Sequence, residues 1–407
     1  MRKTILLLSL FGILFFGCTK PAVNTPKEPI RSSLLPVYVT PTFAMPDYDP
    51  VEAMLKTMTL EEKVGQLVIA GFYGTDIDDV TEKLVTEAKI GGIIFFKRNL
   101  TTSKQVVSLL NHFKSISAGI PLFLSIDEEG GSVSRLPDEL VNLPNARTFA
   151  KRNVLNITYD LGFAIGYALH EYGFNLNYAP IMDVVTNPYT SPIGNRSFSS
   201  DPTVVSEMGM LMARGIENAH VISVIKHFPG HGNTSVDSHA GIPVLKTSLE
   251  KLKQLEFAPF TYAIESAISG IMIGHIALAL YDRKLPASLS YPIMTQLLRE
   301  SMGFQGVIFT DDLGMGAISA NYTQAEAAVL SIMAGADVVM VSHGRRDPFK
   351  VVESLKEAVL DGRISQVRLD ASVRRILKLK YNFGLDSAMQ SSPDIKTMNA
   401  KFNDLLK

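Results

Sequence analysis

The chain reads as a (β/α)₈ barrel in a single catalytic domain. Eight short apolar runs are separated by amphipathic segments, which argues for parallel strands with intervening helices. Charged and imidazole side chains follow the runs with regularity, as a site at the C-terminal mouth of a barrel requires. An open doubly wound sheet is the competing architecture. No Gly-x-Gly-x-x-Gly follows the first run and no Walker-type phosphate loop is present, which disfavours it.

The first residues predict export. Arg2 and Lys3 supply positive charge, Ile5 to Phe16 are mostly apolar, and Gly17-Cys18 follow. The apolar stretch is short of the roughly 20 residues that span a bilayer, so residues 1–17 read as a signal peptide. Cys18, the only cysteine of the chain, is placed for cleavage before it and lipidation of its thiol. A lone cysteine also excludes an intramolecular disulfide. Residues 18–50 hold seven prolines, at 21, 26, 29, 36, 41, 46 and 50, and are expected to form a tether. The barrel is expected over 51–385, and the polar residues 386–407 as a poorly ordered tail. The formal net charge of −1 offers no basic footprint for nucleic acid.

The expected strands are 65–70, 92–96, 122–126, 176–182, 221–226, 271–275, 307–311 and 337–342, most of them rich in Ile, Val, Phe or Leu. Helical patterns occupy 102–117, 156–172, 248–269 and 324–334. Asp127 follows the third run, Asp183 the fourth, Lys226 and His227 close the fifth, His275 the sixth and Asp311 the seventh.

Lys226-His227-Phe228-Pro229-Gly230-His231-Gly232 is the densest concentration of chemistry in the chain. Gly230 and Gly232 suit a tight loop. Asp237 and His239, two apart in a polar loop, could form a general acid/base in which the carboxylate orients the imidazole; a solvated loop histidine is the alternative. His227, His231, Asp237 and His239 could also be drawn as zinc ligands, but there is no cysteine ligand and no helical His-Glu-x-x-His, so neither metal nor other cofactor is expected. Asp311 is placed to act as nucleophile or electrostatic stabiliser, or else to cap a helix, a role that suits Asp312 better. Asp127, Arg135, Arg196, Lys226 and His227 would surround a polar ligand, or alternatively tie barrel loops together by ion pairs. With no tryptophan in the chain, stacking on a sugar would fall to Phe or Tyr, for example Phe228 or Tyr178.

Six segments, taken in order, resemble glycoside hydrolase family 3, and within it the β-N-acetylglucosaminidases of bacterial wall recycling. They are Gly91 to Asn99, Ile126 to Gly131, Asn195 to Phe198, Lys226 to Gly232, Asp237 to His239, and Phe309 to Leu313, covering about residues 50–385. The resemblance implies a (β/α)₈ barrel and a retaining mechanism. It implies Asp311 as nucleophile, His239 as acid/base paired with Asp237, and Asp127, Arg135, Arg196, Lys226 and His227 as sugar-binding residues. Ser132 departs from the pattern, since many relatives carry arginine there in Gly-Gly-Arg-Val.

The implied activity is exo-hydrolysis of non-reducing terminal GlcNAc from peptidoglycan fragments. The expected protein is a monomer held in the cell envelope by a lipid anchor in the membrane. A phosphorylase or β-glucosidase of the same family is the alternative enzyme, and an inactive glycan-binding lipoprotein the alternative of another class.

Overall fold

Eight parallel strands close into a barrel in strictly sequential order. They are β1 (Val68–Gly71), β2 (Gly92–Phe95), β3 (Phe123–Ile126), β4 (Leu176–Asn177), β5 (Ile222–Phe228), β6 (Gly270–Ile273), β7 (Val307–Asp312) and β8 (Val338–Val341), with β8 pairing back onto β1. The computed structural model describes residues 49–117, 119–151, 155–189, 191–231, 234, 241–343 and 347–407. The expected signal peptide, Cys18 and nearly all of the expected tether lie outside the described residues.

Each expected strand has its counterpart. The runs are continuous rather than alternating because every residue of β1, β2, β3, β6 and β8 is buried, by the barrel interior on one face and helices on the other. β4 is shorter than the run 176–182. Pro180 has no N–H for a ladder, and pairing resumes only as an isolated bridge between Ile181 and Lys226. β5 runs two residues further than expected and takes His227 and Phe228 into the sheet after Lys226.

The helix expected over 248–269 is two helices, Leu249–Gln254 and Ala258–Glu265, because Pro259 belongs in a first turn, where no N–H is needed. The expectation of a poorly ordered tail is corrected. Ile395–Leu406 is a helix whose Met398 and Phe402, one turn apart, are buried. Asn399 accepts the Val141 N–H at 2.7 Å and donates to the Glu139 carbonyl at 2.9 Å. Lys401 lies 3.7 Å from the centre of the Tyr167 ring.

Phe309, Phe123 and Tyr178 pack edge to face within the barrel, 6.0 and 6.1 Å apart. Below them the N-terminal end holds a buried lysine. Lys380 Nζ donates to Gln66 Oε1 at 2.7 Å and to the Gly91 carbonyl at 3.0 Å, and lies 4.5 Å from the centre of the Phe123 ring. Burial pushes its pKa down from 10.5 to about 7.

The sign of the pH dependence follows from that depression. Between about pH 7 and pH 10 the unfolded chain binds a proton on Lys380 that the folded chain lacks, so this residue makes stability rise with pH across the window. Denaturant melts of wild type and Lys380→Met at pH 7 and pH 9.5 check this. The wild type should gain stability relative to the variant as pH rises; parallel curves would contradict it.

Candidate active site

A cavity of about 490 Å³ opens at the C-terminal ends of the strands, and Asp127, Arg135, Arg196, Lys226, His227 and Asp311 all line it. The barrel thus brings together six of the eight residues singled out for catalysis or binding. The other two, Asp237 and His239, lie outside the described residues. Met272 of β6 and Met340 of β8 also line the cavity, and both are buried.

Two local irregularities place the key side chains. From Ile225 to Phe228 three steps along β5 are matched by two along β6, from Ile271 to Ile273. From Phe309 to Asp312 three steps along β7 are matched by two along β8, from Val338 to Met340. Each strand therefore carries one extra residue, a bulge, where Lys226-His227 and Thr310-Asp311 occur. Bulges re-aim side chains at barrel rims. The Lys226–His227 peptide is also cis.

Around Lys226 lies a compact charge cluster. Its Nζ, buried, sits 2.5 Å from Asp127 Oδ1 and 2.7 Å from Glu129 Oε1. Glu129 also takes both arms of Arg196, from Nε at 2.9 Å and Nη2 at 2.7 Å. Burial opposes the charge on Glu129, but Arg196 and Lys226 outweigh it and hold the carboxyl far below the usual carboxylate range. Lys226 and Arg196 are correspondingly pushed up, against their own burial. The ion-pair reading is therefore realised for Asp127, Arg196 and Lys226, and the cations that face the cavity are fixed by carboxylates beside it.

Glu129 was not singled out by sequence reasoning. Its signal was the pair of acids directly after Asp127 at a strand end. The other, Glu128, has a separate task. Its Oε2 accepts the N–H groups of Arg135 and Leu136, at 2.7 and 3.2 Å, and so pins the loop that carries Arg135. That loop turns through Gly130 and Gly131 at φ +80° and +63°, and a Cβ on Gly131 would sit 2.7 Å from Asn145. Arg135 Nε is buried without a partner among the described residues.

His227 is fixed from behind. Its Nδ1 donates to Asp183 Oδ2 at 2.8 Å, while Asp183 Oδ1 accepts the His231 N–H at 2.6 Å. Asp183 is buried, yet His227 and His231 hold its carboxyl below the usual range. Burial pushes His231 down to about 4, so it is neutral at physiological pH. His275 is buried with both ring nitrogens engaged, Nδ1 with Ser288 Oγ at 2.7 Å and Nε2 with the Asp312 carbonyl at 2.8 Å, and so is a structural residue.

Asp311 faces the cavity with one carboxylate oxygen bound, Oδ1 accepting the Asp312 N–H at 2.8 Å. Burial resists its ionisation, but His275, His227, that N–H and Lys226 together hold its pKa below the ordinary value. It is an ionised carboxylate inside a cavity. The helix-cap reading of Asp312 is corrected: the next helix, Gly316–Ser319, begins after Met315, and the Asp312 carboxylate turns instead to β8. The two residues named as examples for stacking are corrected as well. Phe228 and Tyr178 are buried away from the cavity, Phe228 against Phe257 and Phe260, and among the described Phe and Tyr residues it is Phe96 that lines it.

Residues 59–379 match the model of the glycosyl hydrolase family 3 N terminal domain, and the chain belongs to this family. It is 35% identical over 341 residues to a protein named beta-hexosaminidase A from Pseudoalteromonas piscicida, covering 77% of this chain but only 57% of that protein's length. It is 33% identical to the beta-hexosaminidase LpqI of Mycobacterium tuberculosis, covering 78% of this chain and 82% of that protein. A solved family 3 beta-N-acetylglucosaminidase from Paenibacillus sp. superimposes with a TM-score of 0.80 at 38% identity, over 86% of this chain and 68% of that one.

Replacing Glu129 by Gln should leave the buried Lys226 and the half-buried Arg196 with one carboxylate, Asp127, between them. Breaking a buried pair on one side costs about 3–5 kcal/mol. Urea unfolding of Glu129→Gln should show a loss of that order, and a loss well under 1 kcal/mol would contradict the bridging role.

Proposed function

We propose that the protein is an exo-acting, retaining β-N-acetylglucosaminidase that removes non-reducing terminal GlcNAc from peptidoglycan fragments. The observation that carries this reading is the ionised Asp311 carboxylate, with one oxygen bound by Asp312, in a cavity rimmed by Asp127, Arg135, Arg196, Lys226 and His227. The cavity sits over a packed barrel interior, so a glycan would enter by its end.

Asp311 attacks the anomeric carbon and forms a glycosyl-enzyme ester. His239 gives a proton to the departing oxygen and afterwards takes one from the water that releases the sugar, so the β configuration is kept. Asp237 orients and charges that imidazole. A histidine here replaces the second carboxylate that most retaining glycosidases use. The fixed carboxylates and cations of β3 and β5 bind sugar hydroxyls without rearrangement. We further propose that the enzyme is exported and anchored through lipid on Cys18.

Asp311→Ala should lower kcat roughly 10⁴-fold or more, as removal of a nucleophile does, while the melting transition survives. Near-normal hydrolysis of a chromogenic GlcNAc glycoside by the purified variant would overturn the assignment. His239→Ala should lose about 10²–10⁴-fold on a substrate with a poor leaving group, and far less in the first step of an activated aryl glycoside, which should show a burst. Equal loss on both, with no burst, would make His239 a binding or structural residue. Cys18→Ser should leave turnover unchanged and move the protein out of the membrane fraction; its retention there after a salt wash would contradict lipidation.

A further inference from the structure

Two aspartates stand in succession at the end of β7, and the role proposed above belongs to the first. Asp312 is the more enclosed of the two, at 3% exposure. Its Oδ1 accepts the N–H groups of Gly314 and Ser342, at 3.0 and 2.9 Å. Its Oδ2 accepts the Ser342 hydroxyl at 2.7 Å and His343 Nδ1–H at 2.5 Å. Its carbonyl accepts His275 Nε2–H, and its own N–H donates to Asp311 Oδ1. Every polar group of Asp312 is therefore bonded.

These bonds lie where the β7–β8 ladder is interrupted. Because β7 carries one extra residue opposite β8, the ladder is broken beside Asp311, and Met340 N–H bonds to the Thr310 hydroxyl at 3.1 Å instead of to a strand carbonyl. On the β8 side the chain at Asp311 is thus held by the side chains of Thr310 and Asp312 rather than by a regular ladder, while the ladder to β6 runs regularly as far as Thr310. Electrostatics alone argues against a second acid here, since a like charge opposes ionisation of its neighbour. The four donors around Asp312 offset that charge, and geometry gives the acid its purpose.

We propose that Asp312 is a positioning residue. Its carboxylate fastens the end of β7 to Ser342 and His343 at the end of β8. The N–H held in place by that clasp aims the Asp311 carboxylate into the cavity. This rests on the reading of Asp311 as nucleophile.

The test compares Asp312→Ala, Asp312→Asn and the double variant Ser342→Ala/His343→Phe. Two quantities are read: the burst rate with an activated aryl GlcNAc glycoside, and the Kd for GlcNAc by calorimetry. A displacement of the reacting group by about 1 Å costs on the order of 10²-fold. Asp312→Ala should therefore lower the burst rate about 10²-fold and leave Kd within about threefold. Asp312→Asn keeps an Oδ1 acceptor for Gly314 and Ser342 and should recover at least about tenfold of the loss.

A folded Asp312→Ala protein with the wild-type burst rate, or one whose Kd worsens in step with its rate, would overturn the proposal. If that variant does not fold, the double variant decides. It should lose about tenfold in burst rate at unchanged Kd, and a rate within about twofold of wild type would overturn the proposal. Asp311→Ala, run alongside, separates the two readings. If it is inactive while the Asp312 variants are normal, only the positioning role fails; if it is itself active, the nucleophile assignment fails and the positioning role with it.

Discussion

A lysine ammonium enclosed at the end of β5 sets the terms for the rest of the site. An unpaired charge in that position would cost far more than the fold could supply, so Lys226 needs carboxylates on its neighbours. Asp127 and Glu129 supply them from the end of β3, and Glu129 in turn secures Arg196 from the segment after β4. Three separate parts of the chain are tied together by four side chains of balanced charge. The tie is rigid because each contact is charged and Arg196 meets Glu129 with two parallel bonds.

That arrangement governs the other side of the cavity too. Asp311 is enclosed enough that burial alone would favour its protonated form, yet His275, His227, the Asp312 N–H and Lys226 keep it ionised. Lys226 and His227, which line the cavity, are thus also among the groups that keep the Asp311 carboxylate charged. His227 serves both ends, since Asp183 fixes its Nδ1 while its ring lines the cavity. The bulges in β5 and β7 make this possible by bringing Lys226, His227 and Asp311 to the cavity from strands whose other residues are packed in the core.

Much of this was legible in the residues alone. Strands buried on both faces leave continuous apolar runs, and a barrel puts its chemistry where those runs end, so Asp127, Lys226, His227 and Asp311 stood out by position. What could not be read depended on partners distant in sequence. Glu129 has meaning only beside Arg196 and Lys226, and Asp312 only beside Ser342 and His343, 30 and 31 residues away. Phe228 was expected at a sugar and instead packs on Phe257 and Phe260, because the bulge before it changes which way the strand faces. The C-terminal helix was hidden by its polar composition, its packing face resting chiefly on Met398 and Phe402. Asp237 and His239 were legible only through their place in a family pattern.

The central claim is that Asp311 forms a covalent bond to the sugar. The direct measurement is mass spectrometry of the protein quenched during turnover of a fluorinated GlcNAc-type donor whose glycosyl-enzyme breaks down slowly, followed by peptide mapping. The account predicts one sugar per chain, attached to the peptide that contains Asp311 and absent from Asp311→Ala. A label on a different residue, or turnover with no covalent species at any time, would contradict it.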